Sequence, residues 1–266
     1  MKTFSNILKA DFYRLKFSKW LWILPIVYFG LMMITYGLMY YIVHIGLDIE
    51  DAEMMEMYIA DSAKSTLTSS VNSNNFVLGY VIVATIFICK EFKSGVTKLR
   101  ISRGNNKTEL FFSKLIILAG TVIVYTIGLY IVSALLNLAF FGVQSWSATE
   151  IANIFRSFAL SCLVNVANVS IGIMIAYLIR NLGGSIAVNI GVVLTQTLLA
   201  TIAAFIEGDH PLKYIMFGLP TNLISFAGVI EAYEKVMLVE IIVVPIFVIA
   251  LTSVISALTF KARDVK

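Results

Sequence analysis

Charge is scarce in this chain. Of its 266 residues only 14% are Asp, Glu, Lys or Arg, while 59% are apolar and the mean hydropathy is +0.89. A soluble domain carries about 25% charged and about 45–50% apolar residues. One water-surrounded core cannot bury such an excess, so the composition excludes a purely soluble globule and makes lipid part of the solvent. Cysteine is also rare: Cys89 and Cys162 both lie in apolar runs, which excludes a disulfide framework and leaves two packing thiols. Histidine occurs only at His44 and His210, with no H-E-x-x-H pattern, so the donor clusters of a metal-dependent intramembrane enzyme are lacking. No G-x-x-x-x-G-K-S/T phosphate loop occurs. No catalytic site, metal or directly bound cofactor is therefore expected. Low-complexity tracts and internal repeats are missing. The basic N-terminus has no small-residue cleavage site, so the first apolar run is expected to be kept as a span.

What the chain does have is a series of long apolar runs. A crossing helix needs about 20 mostly apolar residues. Six stretches are expected to cross: 20–43, 70–89, 115–143, 151–179, 185–206 and 236–260. The run 76–89 is short alone, and the uncharged stretch from Ser65 extends its helix upward. The stretch 214–230 is broken by Gly218, Pro220 and Gly228. It reads as a re-entrant or interfacial hairpin inside the outer segment 207–235, acceptable at membrane depth only where protein or a water cavity shelters its backbone.

Sixteen of the twenty basic residues fall in 1–19, 90–114, 180–184 and 261–266, with only four acids, Asp11, Glu91, Glu109 and Asp264. The other segments hold four basic and twelve acidic residues. Basic excess marks the cytoplasmic side, so both termini are expected there, as an even span count requires. The net charge of +4 thus reports topology. Nucleic acid is not an expected partner, because no cytoplasmic segment exceeds 25 residues. The expected fold is a single all-α polytopic membrane domain over 1–266.

The segments between the spans differ in character. In 1–19, Phe4, Leu8, Phe12 and Leu15 share one helical face and Lys2, Lys9 and Lys16 another, as an elbow helix lying on membrane lipid would require. The loop 90–114 mixes Val96, Leu99 and Ile101 with seven basic residues. It suits either a short helix docked in a partner's groove or a solvated positive loop. Gly104-Asn105-Asn106 signals a turn, after which Thr108 and Glu109 can cap the next helix. The outer segment 44–69 carries Asp48, Glu50, Asp51, Glu53 and Glu56, read as solvated acids because a calcium cage is not evident.

Polar residues inside the spans follow helical spacing. Ser157, Ser161, Asn165, Asn168 and Gly172 stack on one face of the fourth span, and Ser185, Asn189 and Gln196 on one face of the fifth. Such residues either glue helices together or line a polar substrate pathway. Arg156 and Glu240 lie about one turn inside the outer boundary. They are expected to form an outer-gate ion pair, with Glu150 as another partner for Arg156, or to snorkel separately to the headgroups. Pro25 and Pro245 are expected to kink the first and last spans.

The order of acid, glycine, basic helix, Ser-Arg, turn and lysine in 90–114 resembles the loop between the second and third spans of ABC-2 type transporter permeases. Glu91, Gly95, Arg100, Ser102, Arg103 and Lys114 are the matching positions. The six-span layout, amphipathic N-terminus, short fourth-to-fifth connection and broken stretch before the last span resemble that family too. Among its members the chain is most similar to small permease subunits of bacterial exporters and immunity systems for peptide antibiotics. The resemblance implies a coupling helix within 90–114, using Glu91, Gly95, Leu99, Arg100, Ser102, Arg103, Lys107 and Lys114, docked on a separate soluble ATPase dimer. ATP and Mg would be used by that partner. It further implies pairing with a second copy or a related permease, location in a bacterial cell membrane, and export, with an amphipathic peptide or antibiotic as substrate. An ion-coupled secondary transporter and a non-transporting scaffold or sensor partner are the alternative readings.

Overall fold

The computed structural model describes residues 2–44, 52–72, 74–206, 211–227 and 235–262. Among these, every regular element is a helix. In chain order they are α1 (Lys2–Lys16), α2 (Lys19–His44), α3 (Ala52–Ser69), α4 (Asn74–Lys93), α5 (Val96–Ser102), α6 (Lys107–Phe141), α7 (Ala148–Ile179), α8 (Leu182–Ala204), α9 (Pro211–Phe217), α10 (Pro220–Ala227) and α11 (Lys235–Ala262).

Among the described residues, five helices are long and apolar enough to cross a bilayer: α2, α6, α7, α8 and the Val239–Ala262 part of α11. Much of their apolar surface faces outward, with Ile26, Val124, Leu198 and Phe247 all more than half exposed. In water that surface would be a liability, and in lipid it is the expected exterior. The protein is an all-helical membrane protein.

α4 differs from these five. It is 20 residues long and ends in Lys90, Glu91 and Lys93, so it is less apolar. It sits against α7, α8 and α2, and Val77, Val81, Ala84 and Ile88 are buried. Two glycines permit this close packing. A Cβ on Gly172 of α7 would lie 2.8 Å from Val81, and one on Gly79 would collide with the Tyr28 hydroxyl.

Several boundaries depart from the sequence reading. The outer segment is not simply a solvated connection, because α3 occupies its second half. Asn137 donates to the Ala63 carbonyl at 2.6 Å and Ser133 to the Leu67 carbonyl at 2.7 Å, fixing α3 to α6. The helix at Ser65 is α3 itself, and it stops at Ser69 instead of running on into α4. Asp48, Glu50 and Asp51 lie outside the described residues. The connection between α7 and α8 is tighter than 180–184. Arg180 takes a left-handed conformation, φ 57°, and its N–H returns to Ala176.

α2 and α11 remain helical through Pro25 and Pro245. A proline has no N–H, so Pro25 leaves the carbonyl of Leu21 without its helical donor. The Tyr125 hydroxyl of α6 donates to that carbonyl. One side chain thus repairs the ladder and joins two membrane helices. Tyr125→Phe is expected to lower stability by about 1–3 kcal/mol. Pro25→Ala on that background should recover most of the loss by restoring an N–H. Denaturant unfolding of the four variants of this cycle in mixed micelles measures the coupling.

Candidate functional site

The charged end of the bundle gathers five ionised side chains from four helices. Asp11 and Arg14 stand three residues apart on α1, and so on one face. Glu91 lies beyond the apolar run that ends at Cys89, Arg100 comes from α5, and Lys114 from α6. Glu91 forms ion pairs with Arg14 and Lys114 and lies 3.5 Å from Arg100. Arg100 also pairs with Asp11, which accepts a hydrogen bond from Ser113 at 2.9 Å. Asp11, Glu91 and Lys114 are at most 1% exposed.

Charges so enclosed are tolerated only because each meets a counter-charge or donor. Burial pushes the Glu91 carboxyl up, but Lys114, with Arg14 and Arg100, more than reverses this and holds the group below the usual carboxylate range. The carboxylate therefore stays ionised at neutral pH. Tyr177, Phe111, Phe92 and Phe260 pack edge to face on one another, and Phe92 directly follows Glu91 in α4.

α5 is set by turns at both ends. Gly95, at φ 68°, reverses the chain after α4 in a conformation that other residues adopt only with strain. Gly104, at φ 84°, turns it back, and Asn105 donates to the Arg100 carbonyl at 2.9 Å. Asn106 is the cap of α6, accepting from the Thr108 N–H at 3.0 Å. Thr108 and Glu109, expected as caps, instead lie inside the first turn. Between these turns α5 is two-faced: Thr97 is buried and Arg100 reaches the ion cluster, whereas Lys98, Leu99, Ser102 and Arg103 are exposed.

The residues expected to couple to a partner thus divide. Glu91, Arg100 and Lys114 are interior bracing, Gly95 is a turn, and Leu99, Ser102 and Arg103 face outward. Lys107 donates to the carbonyl of Lys261 at 3.2 Å, next to the end of α11.

The polar faces of α7 and α8 make interhelical bonds. Asn72 donates to Tyr130 at 3.0 Å and accepts from Ser161, and Tyr130 lies 2.9 Å from Ser157. Asn165 reaches Thr126 at 3.5 Å, and Asn189 donates to Thr85 at 2.9 Å. Cys89 donates to Ser185 at 3.5 Å. Asn168 and Gln196 hold the start of α10. Asn168 donates to the Pro220 carbonyl and accepts from the Thr221 hydroxyl, both at 3.0 Å. Gln196 accepts from the Thr221 N–H at 3.0 Å, and its own carbonyl accepts from Asn222 at 2.9 Å. The broken stretch is thus a helix–turn–helix whose second half is sheltered by protein.

At the other end of the bundle, Glu150 is taken by Lys64 at 2.7 Å and by its capping box with Ser147. Among the described residues no ion pair joins Arg156 to Glu240. Among the described residues, no three His, Cys, Asp or Glu side chains converge as metal ligands.

Sequence reasoning missed Asp11, Arg14 and Ser113 as members of the cluster. Asp11 carried a signal, being the only acid in 1–19 and sharing the face of Leu8 and Leu15 by spacings of three and four. Glu91→Gln is expected to destabilise the chain by about 3–5 kcal/mol, since it leaves Lys114 buried with no anion. Adding Lys114→Met should return part of that loss. Because the folded Glu91 is held below its unfolded value, its contribution is complete above the usual carboxylate range and is lost as pH falls through the folded value. Unfolding followed from pH 7 into acid should show that decline in the parent chain and a flatter curve in Glu91→Gln.

No curated protein matches the chain. One family model covers residues 23–266, which takes in most of α2 and every helix after it: the chain belongs to the DUF2705 family, described as proteins of unknown function.

Proposed function

We propose that the chain is the membrane-spanning permease subunit of an ATP-driven exporter of the ABC-2 type. In this reading α4 is the sixth crossing helix, both termini are cytoplasmic, and the membrane is that of a bacterial cell. Two such subunits, identical or related, enclose the pathway at their interface, and a separate soluble ATPase dimer uses ATP and Mg. An amphipathic peptide or antibiotic is the proposed substrate class, on the strength of the sequence resemblance alone.

The observation that carries the reading is the division of α5. Its exposed face presents Leu99, an apolar side chain 51% exposed, flanked by Lys98, Ser102 and Arg103. Its other face is joined through Arg100 to Asp11 and Glu91, and so to α1 and α4, with Lys114 of α6 on the same carboxylate. A push on α5 would reach several long helices through charges that cannot separate cheaply in a buried setting. In the proposed cycle, closure of the ATPase dimer displaces α5, the helices tilt, and the pathway opens outward. The two states must contact the ATPase differently for this to work.

Co-expression with an ATP-binding protein encoded beside this chain tests the proposal. The two should co-purify, and the chain should alter the hydrolysis rate. Leu99→Asp with Arg103→Glu should weaken association by about tenfold or more while leaving the melting temperature unchanged, since both side chains are exposed. Full association and transport after replacement of 96–102 by a glycine-serine linker would overturn it.

A further inference from the structure

A cavity of about 450 Å³ opens at the elbow between α1 and α2, against the charged end of α4. Among the described residues three cations line it, Arg14, Lys19 and Lys90, and no acid does. Its apolar wall includes Trp20, Ile23 and Phe87. The Lys90 ammonium lies 5.8 Å over the Trp20 ring and the Arg14 guanidinium 5.9 Å over Phe87, so aromatic faces hold both cations at the mouth. We propose that this cavity binds the phosphodiester headgroup of an anionic phospholipid.

Three features point to that occupant. The first is depth. Lys19 is the opening residue of α2, a helix long enough to cross, and Trp20 and Trp22 follow it, so the cavity stands at the boundary where headgroups lie. The second is charge. The cluster behind the cavity holds three cations against two carboxylates, and Arg14 belongs to both cluster and cavity wall. One positive charge is left over within the cluster, and Lys19 and Lys90 add two more at the mouth. An anionic headgroup would offset part of this excess, with hydrogen bonds from Arg14 and the lysines.

The third feature is the wall itself. Ile23 lies one turn further along α2 than Lys19, giving the glycerol and acyl chains an apolar path that a soluble anion would not use. The site needs only the membrane setting, and stands whether or not an ATPase partner exists.

Native mass spectrometry of the full chain, delipidated in detergent and offered equimolar phosphatidylglycerol and phosphatidylcholine with the same acyl chains, tests the site. The chain should retain phosphatidylglycerol with a preference of about tenfold or more. Lys19→Gln with Lys90→Gln, both exposed and so tolerated, should bring the ratio close to even. Lys9→Gln with Lys98→Gln removes two exposed cations elsewhere, and should leave it unchanged. Equal retention of both lipids by the parent chain would overturn the proposal. So would an equal loss in the Lys9 and Lys98 variant, which would mean diffuse surface charge. Displacement of the lipid by inorganic phosphate at matched ionic strength would also overturn it, by making the site one for a soluble anion.

Discussion

A carboxylate with no exposed surface sets the terms for the charged end of this molecule. Glu91 could not remain ionised there alone, and the chain brings it cations from three other helices: Arg14 of α1, Arg100 of α5 and Lys114 of α6. Each helix is thereby placed by a charge it cannot withdraw without stranding another. Hydrophobic contact is non-directional, and in lipid it gives helices little reason to prefer one register to another. The ion cluster supplies direction. It makes α1 a fixed part of the bundle instead of a float on the membrane surface, and it decides which face of α5 is left outside.

Deeper in the bundle the same problem is solved without charge. Tyr125 serves a carbonyl that Pro25 abandons, and Ser133 and Asn137 fix α3 through its backbone. Asn168 and Gln196 satisfy the start of α10. Bonds of this kind are worth about 0.6–2 kcal/mol each in membrane proteins. Their larger effect is on what would follow their absence, since water is not at hand to replace them. The polar stripes of α7 and α8 therefore have a structural use in this single chain.

Much of the architecture was legible because lipid imposes a simple rule on sequence: long apolar runs with charges at their ends. The runs at 20–43 and 236–260 fall within α2 and α11, and the run at 115–143 lies in α6 except for its last two residues. The break between α9 and α10 was legible for the same reason, because Gly218 and Pro220 interrupt an apolar run. The outer helix was harder. The second half of α3 has neither the length of a span nor a periodic stripe, and it is held by hydrogen bonds that Asn137 makes to Ala63 and Ser133 to Leu67 from far along the chain. In the candidate site, the resemblance of 90–114 to a permease loop grouped Glu91, Arg100 and Lys114 but could not say which way they face. A basic residue in a loop is ordinarily solvated, and Asp11 and Glu91, both on other helices, turn Arg100 inward. For Arg156 and Glu240, a shared boundary fixes depth along the sequence and leaves rotation about each helix axis open.

The anchoring of α10 also bears on how the chain is made. Its N-terminal turn takes its partners from α7 and α8, which leave the ribosome earlier, whereas α11 emerges later. When α10 is synthesised, amide groups from the two preceding crossings already exist to receive its backbone. The hairpin can therefore enter a prepared seat during translation, and the last crossing then closes over it. The same helices in another gene order would leave α10 waiting in the translocon with its polar backbone exposed, so the linear sequence encodes an insertion schedule as well as a shape.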